Sequence, residues 1–157
     1  MKQVNTKSYS ETIRVGLELG NCLKSGDIVC LSGDLGVGKT AFTKGIAEAL
    51  GIREYIKSPT FTIVNEYKSV IPFYHFDVFR ISNTDEMYEI GFDEYLGGNG
   101  IVVIEWAENI KELLPEEHIW VEIRKSNPED LNERVITIRE RGHTILEVRD
   151  ERLEVRS

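Results

Sequence analysis

Residues Gly33-Asp34-Leu35-Gly36-Val37-Gly38-Lys39-Thr40 match the pattern G-x-x-x-x-G-K-[ST] at every position. This phosphate-binding loop works in one setting, with a buried strand before it and a helix after it. The apolar run Ile28-Val29-Cys30-Leu31 supplies the strand, and Lys39 to Leu50 supplies the helix. The glycines let successive backbone N–H groups turn inward as an anion nest, and the helix directs its positive end at the same point. Lys39 adds a point charge for the outer phosphates, and the Thr40 hydroxyl is suited to ligate Mg²⁺. Motif and flanks together point to a nucleoside triphosphate rather than to a plain glycine-rich turn.

With 157 residues, the expectation is a single domain spanning 1–157, large enough to bury a core. Nineteen basic against twenty-seven acidic residues give a net charge of −8. That balance argues against a dominant electrostatic grip on nucleic acid or an anionic membrane, so any RNA contact is expected to be local or made through a partner. Cys22 and Cys30 are not spaced as a metal knuckle or redox pair and read as buried thiols. Met1 to Asn5 carries no signal-peptide core, and no apolar stretch approaches membrane-spanning length. A reducing cytoplasm is the expected setting.

Ser8 with Glu11 has the form of a capping box and opens a helix to about Leu23, with Ile13, Leu17 and Leu23 on its inner side. Ser25-Gly26-Asp27 stops it. The phosphate-loop helix carries Phe42, Ile46, Ala47 and Leu50 at helical spacing and closes at Gly51. After the loop Lys57-Ser58-Pro59-Thr60 come alternating Phe61 and Ile63, then, one step off register, Val64 to Tyr67. Phe73 to Phe79 reads as another strand, and Asn83 with Glu86 caps a short helix that Gly91 to Leu96 extends. Gly97-Gly98-Asn99-Gly100 is the most flexible stretch by composition, and Ile101-Val102-Val103-Ile104 has the continuous apolar character of a parallel-sheet strand. Ile119 to Lys125, Arg134 to Glu140 and Thr144 to Arg149 alternate apolar with charged residues, which predicts antiparallel strands with one solvated face. The expected fold is α/β: a three-layer P-loop NTPase-like domain whose parallel central sheet is flanked by antiparallel strands.

A phosphate loop needs a carboxylate at the end of a buried strand to hold the metal directly or through water. Ile101-Val102-Val103-Ile104-Glu105 is the cleaner pattern, which makes Glu105 the first choice. Phe73-Tyr74-His75-Phe76-Asp77 is the weaker one, leaving Asp77 to orient the attacking water or to reach the metal through water. Trp106 follows Glu105 directly and either stacks on the nucleotide base or serves as a core or interface aromatic. Thr60 is placed as a loop threonine that senses γ-phosphate and Mg²⁺, or else as a turn hydroxyl bonded to local backbone. His75 has no catalytic partner in sequence and is expected to complete a strand hydrogen bond; Arg80 and Arg53 are the arginines nearest the motifs, with surface pairing the expected fate of Arg53. D-x-x-G and N-K-x-D are both missing, since Asp77 is followed by Val78-Phe79-Arg80 and Asn109-Ile110-Lys111-Glu112 fails the second pattern. Guanine recognition is therefore unsupported and ATP is the default. No arginine-bearing lid appears between Thr60 and Glu105, which disfavours a nucleotide kinase.

The segments Gly33 to Thr40, Ser58-Pro59-Thr60-Phe61-Thr62, His75-Phe76-Asp77-Val78-Phe79-Arg80 and Ile104-Glu105-Trp106 together resemble the TsaE family, in order and in spacing, over residues 4 to about 125. The resemblance implies a small P-loop ATPase of bacterial tRNA threonylcarbamoyladenosine biosynthesis, using ATP and Mg²⁺. It implies nucleotide contacts from Asp34, Leu35, Gly36, Val37, Gly38, Lys39, Thr40, Ala41 and Trp106, with Thr40 and Glu105 on Mg²⁺. Lys39, Asp77 and Glu105 would carry hydrolysis and Thr60 would belong to a switch loop. It also implies TsaB and TsaD as protein partners, which transfer the threonylcarbamoyl group to the adenosine beside the anticodon in tRNAs reading ANN codons, with tRNA met indirectly. ATP hydrolysis would support turnover of that pair and would be weak without it. Val37, Ala41, Phe79 and Ala107 depart from the family's usual residues without touching a charge or ligand. A small-molecule kinase and a non-catalytic nucleotide-gated adaptor are the competing classes.

Overall fold

The innermost strands are those apolar on both faces. In the computed structural model, which describes residues 1–141, β2 (Ile28–Ser32) and β5 (Ile101–Glu105) are buried at every position and pair in parallel, Ile28 beside Val102 and Leu31 beside Glu105. β4 (Phe73–Asp77) lies parallel on the far side of β5, and β6 (His118–Lys125) lies parallel on the far side of β2. Antiparallel strands close both margins: β3 (Val64–Tyr67) on β4, and β7 (Arg134–Arg141) followed by β1 (Lys2–Thr6) on β6. The result is a seven-stranded sheet in the order β1-β7-β6-β2-β5-β4-β3. A parallel core with antiparallel margins is the expected architecture. Two details differ from expectation. β6 is antiparallel only to β7, and β1, whose one large buried apolar residue is Val4, is an additional edge strand held by its pairing with β7. The strand expected at Thr144 to Arg149 falls outside the described residues.

Strand alternation sorts the core onto two faces. Val29, Leu31, Val103 and Val121 join residues of α1 (Tyr9–Gly20) and α2 (Lys39–Ala49). Ile28, Cys30, Val102 and Ile104 face α3 (Asp85–Glu89), α4 (Phe92–Leu96) and the 3-10 segment Ala107–Leu113. Burial pushes the Cys30 thiol far above the usual thiol range, as suits an inert core residue. Among the described residues no helix is long and apolar enough to cross a membrane.

Helix α1 begins at Ser8, whose hydroxyl accepts from the Glu11 N–H at 3.1 Å, while the Glu11 carboxylate accepts from the Lys7 N–H at 2.9 Å. Its inner face is Thr12, Val15, Gly16 and Leu19; Ile13 and Leu17, expected inside, are half-buried. The rotation follows from glycine. Gly16 and Gly45 bring α1 and α2 into backbone contact, since a Cβ on Gly16 would stand 2.2 Å from the Phe42 carbonyl oxygen and one on Gly45 2.0 Å from that of Ile13. Gly45→Ala must therefore push the helices apart, and a loss of at least about 2 kcal/mol is expected by chemical unfolding. Gly97→Ala is the control: φ there is −87° and the nearest heavy atom to a new Cβ is 3.5 Å away, so its midpoint should barely move.

Because β2, β4 and β5 run in parallel, their carboxyl ends gather Gly33, Asp77 and Glu105 at one end of the sheet. The Gly97 to Gly100 loop precedes β5 and so sits at the opposite end, where the Gly26 N–H donates to the Gly100 carbonyl at 3.0 Å and the Ser25 hydroxyl to that of Asn99.

Candidate active site

The turn from β2 into α2 is built on backbone that side chains resist: φ is +75° at Gly36 and +123° at Gly38. Gly38 caps α2 without any side-chain hydrogen bond, and the first intrahelical bond to it comes from the Phe42 N–H at 2.9 Å. Among the described residues the earlier N–H groups of the helix have no backbone partner and face the turn as donors for an anion. The Lys39 ammonium folds back on the carbonyls of Gly33 and Asp34, the latter at 2.9 Å, and lies 4.0 Å from the centroid of the Trp106 ring. Burial holds its pKa below the usual lysine range, opposed by the nearby carboxylates of Glu105, Glu108, Asp77 and Asp34. Among the described residues none of these carboxylates is within ion-pair distance of it. A desolvated cation bonded only to backbone carbonyls, beside free helix N–H groups, fits an anionic phosphate.

The two candidate acids are neighbours by register, Asp77 standing beside Glu105 across the β4–β5 ladder, and both are buried. The Thr40 hydroxyl lies 3.2 Å and 3.1 Å from the two oxygens of Glu105. Thus the hydroxyl on the phosphate-loop helix and the carboxylate at the end of β5 converge. Among the described residues no cluster of three His, Cys, Asp or Glu could cage a metal alone. Mg²⁺ needs no such cage, because it is held by one or two protein oxygens with phosphate oxygens and water completing its shell. Thr40 and Glu105 fit that demand.

Asp77 is engaged on both oxygens. Its Oδ1 accepts from the Phe79 N–H at 2.9 Å; its Oδ2 accepts from the Thr60 hydroxyl at 3.1 Å and from the Ser58 hydroxyl. The loop bearing Thr60 ends in a strained residue. Ile63 has φ +70°, its N–H donates to the Pro59 carbonyl at 2.7 Å, and its own carbonyl accepts from the Asp77 N–H at 2.8 Å. Trp106 also has positive φ, +63°, immediately after Glu105. Two non-glycine residues held in the left-handed region, one on each side of the acids, represent stored strain of about 1–3 kcal/mol each. The Trp106 ring packs against Phe79, centroids 4.8 Å apart, as well as against Lys39.

A cavity of about 490 Å³ unites these groups: Leu35 through Ala41, Ser58, Thr60, Asp77, Phe79, Glu105 and Trp106 all line it. That volume is in the range of nucleotide-sized sites. Asp34 does not line it; its side chain is exposed and borders a neighbouring groove, while its carbonyl holds Lys39. Arg53 is exposed and away from the cavity, and Arg80 lies over the exposed ring of Phe61, 4.3 Å from its centroid. Residues the motifs do not announce complete the wall: the N-cap Ser8 with Tyr9 and Thr12 of α1, and Leu131 and Asn132 of the loop before β7 with Arg134, the first residue of that strand. Arg134 clamps this side, donating to the carbonyls of Val37 at 2.8 Å, Glu133 at 2.9 Å and Leu131 at 3.0 Å. Only the capping signal at Ser8 marked any of them.

The family model described as threonylcarbamoyl adenosine biosynthesis protein TsaE matches residues 6–136. The tRNA threonylcarbamoyladenosine biosynthesis protein TsaE of Bacillus subtilis is 43% identical over 133 residues, covering 83% of this chain and 83% of its own length. The protein of the same description from Treponema pallidum is 40% identical over 119 residues, covering 76% of this chain and 88% of its own. Among solved structures, the crystal structure of Bacillus subtilis YdiB superposes with a TM-score of 0.77 at 36% identity, over 98% of this chain and 93% of that one.

Proposed function

The chain belongs to the TsaE family and has a role in tRNA threonylcarbamoyladenosine biosynthesis, and from that premise we propose that it is the ATP-binding and ATP-hydrolysing component of the pathway. The observation that carries the proposal is the convergence of Lys39, Thr40, Asp77 and Glu105 on one cavity at the start of a helix that no side chain caps. In this reading the N–H groups of Gly36 and of Gly38 to Ala41 and the Lys39 ammonium bind the outer phosphates, the Val37 N–H being engaged by the Asp34 carbonyl, and Lys39 exchanges a carbonyl for a phosphate oxygen. Mg²⁺ bound by Thr40 and Glu105 would neutralise charge on the phosphate oxygens. Asp77 orients the attacking water, for which its Oδ2 must first be released by Ser58 and Thr60. The nucleoside is left for the lining residues outside the phosphate loop and the acids, among them Tyr9, Leu131 and Arg134.

The partners in this reading are TsaB and TsaD, with tRNA met through them, in the cytoplasm, and the 157 residues act as one ATPase domain. The protein incubated with Mg²⁺ and ATP should release inorganic phosphate with no phosphorylated acceptor, and chelating the metal should stop it. A phosphorylated metabolite would instead make it a kinase. Asp77→Ala should still bind ATP while losing phosphate release. If that variant supports full tRNA modification, hydrolysis is dispensable and the chain is a nucleotide-gated adaptor.

A further inference from the structure

We propose that His75 is a positioning residue for Glu105, its Nε2–H fixing one carboxylate oxygen so that the other stays aimed at the metal and the phosphate loop. His75 is fully buried on β4, and its Nε2 lies 2.6 Å from Glu105 Oε2. Its Nδ1 is buried and has no hydrogen-bond partner among the described residues. That asymmetry assigns the tautomer. A carboxylate oxygen only accepts, so the ring nitrogen 2.6 Å from Glu105 Oε2 must be the donor. A proton on Nδ1 instead would leave a buried donor without an acceptor and set two lone pairs against each other at Nε2. The proton therefore sits on Nε2 and is donated to Glu105. Oε2 is shared between His75 and Thr40, while Oε1 has Thr40 alone. A ligating carboxylate held by a second hydrogen-bonded residue is a general device for fixing metal geometry, and losing the second residue typically costs about 10–100-fold in metal affinity.

The competing role is packing, because the His75 ring also stacks on Phe73, centroids 6.4 Å apart and planes 25° apart. Two substitutions separate the roles. His75→Phe keeps a ring over Phe73 and removes the donor; His75→Gln loses the ring and places an amide N–H near the position of Nε2. The inference rests on the proposed metal site, so the readout is Mn²⁺ binding to the protein with ADP, followed by electron paramagnetic resonance, together with ADP affinity in EDTA.

His75→Phe should weaken Mn²⁺ binding about tenfold to a hundredfold, with metal-free ADP affinity unchanged, and His75→Gln should restore most of it. Unchanged Mn²⁺ binding by His75→Phe, or weakening by His75→Gln alone, overturns the positioning role. Should His75→Phe not fold, His75→Asn replaces it, since its amide ends near Nδ1 and cannot reach Glu105. If the unsubstituted protein with ADP binds no Mn²⁺, the metal site itself fails and this role fails with it.

Discussion

ATP hydrolysis by the purified chain is expected to be slow, and to rise by about three orders of magnitude or more when TsaB and TsaD are supplied together. The reason is an inventory of charge. Lys39, the helix N–H groups and a metal on Thr40 and Glu105 can meet a γ-phosphate, but a guanidinium aimed at it is missing among the described residues. Arg134 is the arginine that lines the cavity, and it is committed to three backbone carbonyls. Arg80 is spread over Phe61 outside the cavity. The missing group is worth about three to five orders of magnitude when supplied in trans.

In the proposed reading Asp77 would be a second brake, because its Oδ2 is held by Ser58 and Thr60 on the loop that carries Phe61, a phenylalanine 82% exposed. In that reading a partner engaging Phe61 would draw the loop away and free the carboxylate. Phosphate release measured alone, with each partner and with both distinguishes these cases. Equal turnover under all conditions would falsify the partner-dependent reading.

What the sequence disclosed depended on whether a signal was local. The phosphate loop, its strand and its helix form one contiguous unit, and each was legible. The place of Glu105 at the end of a buried strand was legible because four buried apolar residues precede it. Its pairing with His75 was not, because the His75–Glu105 contact joins adjacent strands thirty positions apart and depends on a strand order that no local pattern encodes. Arg134 reaches Val37 across ninety-seven positions for the same reason. β6 teaches a different point. Its alternation reports that Trp120 and Glu122 lie on a thinly covered face, not that its neighbours are antiparallel, and β2 beside it is parallel. On the first helix the expectation held for Leu23, which is buried just beyond the end of α1, but misplaced Ile13 and Leu17. Large apolar residues dominate a periodicity reading, whereas Gly16 and Gly45 decide how the helices meet.

Replacing Glu105 separates a metal ligand from a structural acid, and the choice of substituent matters. Glu105→Ala should abolish Mg²⁺-dependent turnover, but it also strips the His75 Nε2–H of its acceptor in a buried setting, at a cost of about 1–3 kcal/mol in stability. Glu105→Gln avoids that cost. Its amide oxygen can still accept from His75, so folding and metal-free nucleotide binding should persist while the negative charge is lost. Metal-borne stabilisation of several kcal/mol then disappears, which is roughly two to three orders of magnitude in rate. The comparison to make is phosphate release against Mg²⁺ concentration for both variants, with TsaB and TsaD present, alongside thermal unfolding. Loss of turnover in a fully folded Glu105→Gln assigns the metal to Glu105. Unaltered kinetics in that variant would move the metal to Asp77, the acid beside it in the ladder, and would leave Glu105 and His75 as a buried structural pair.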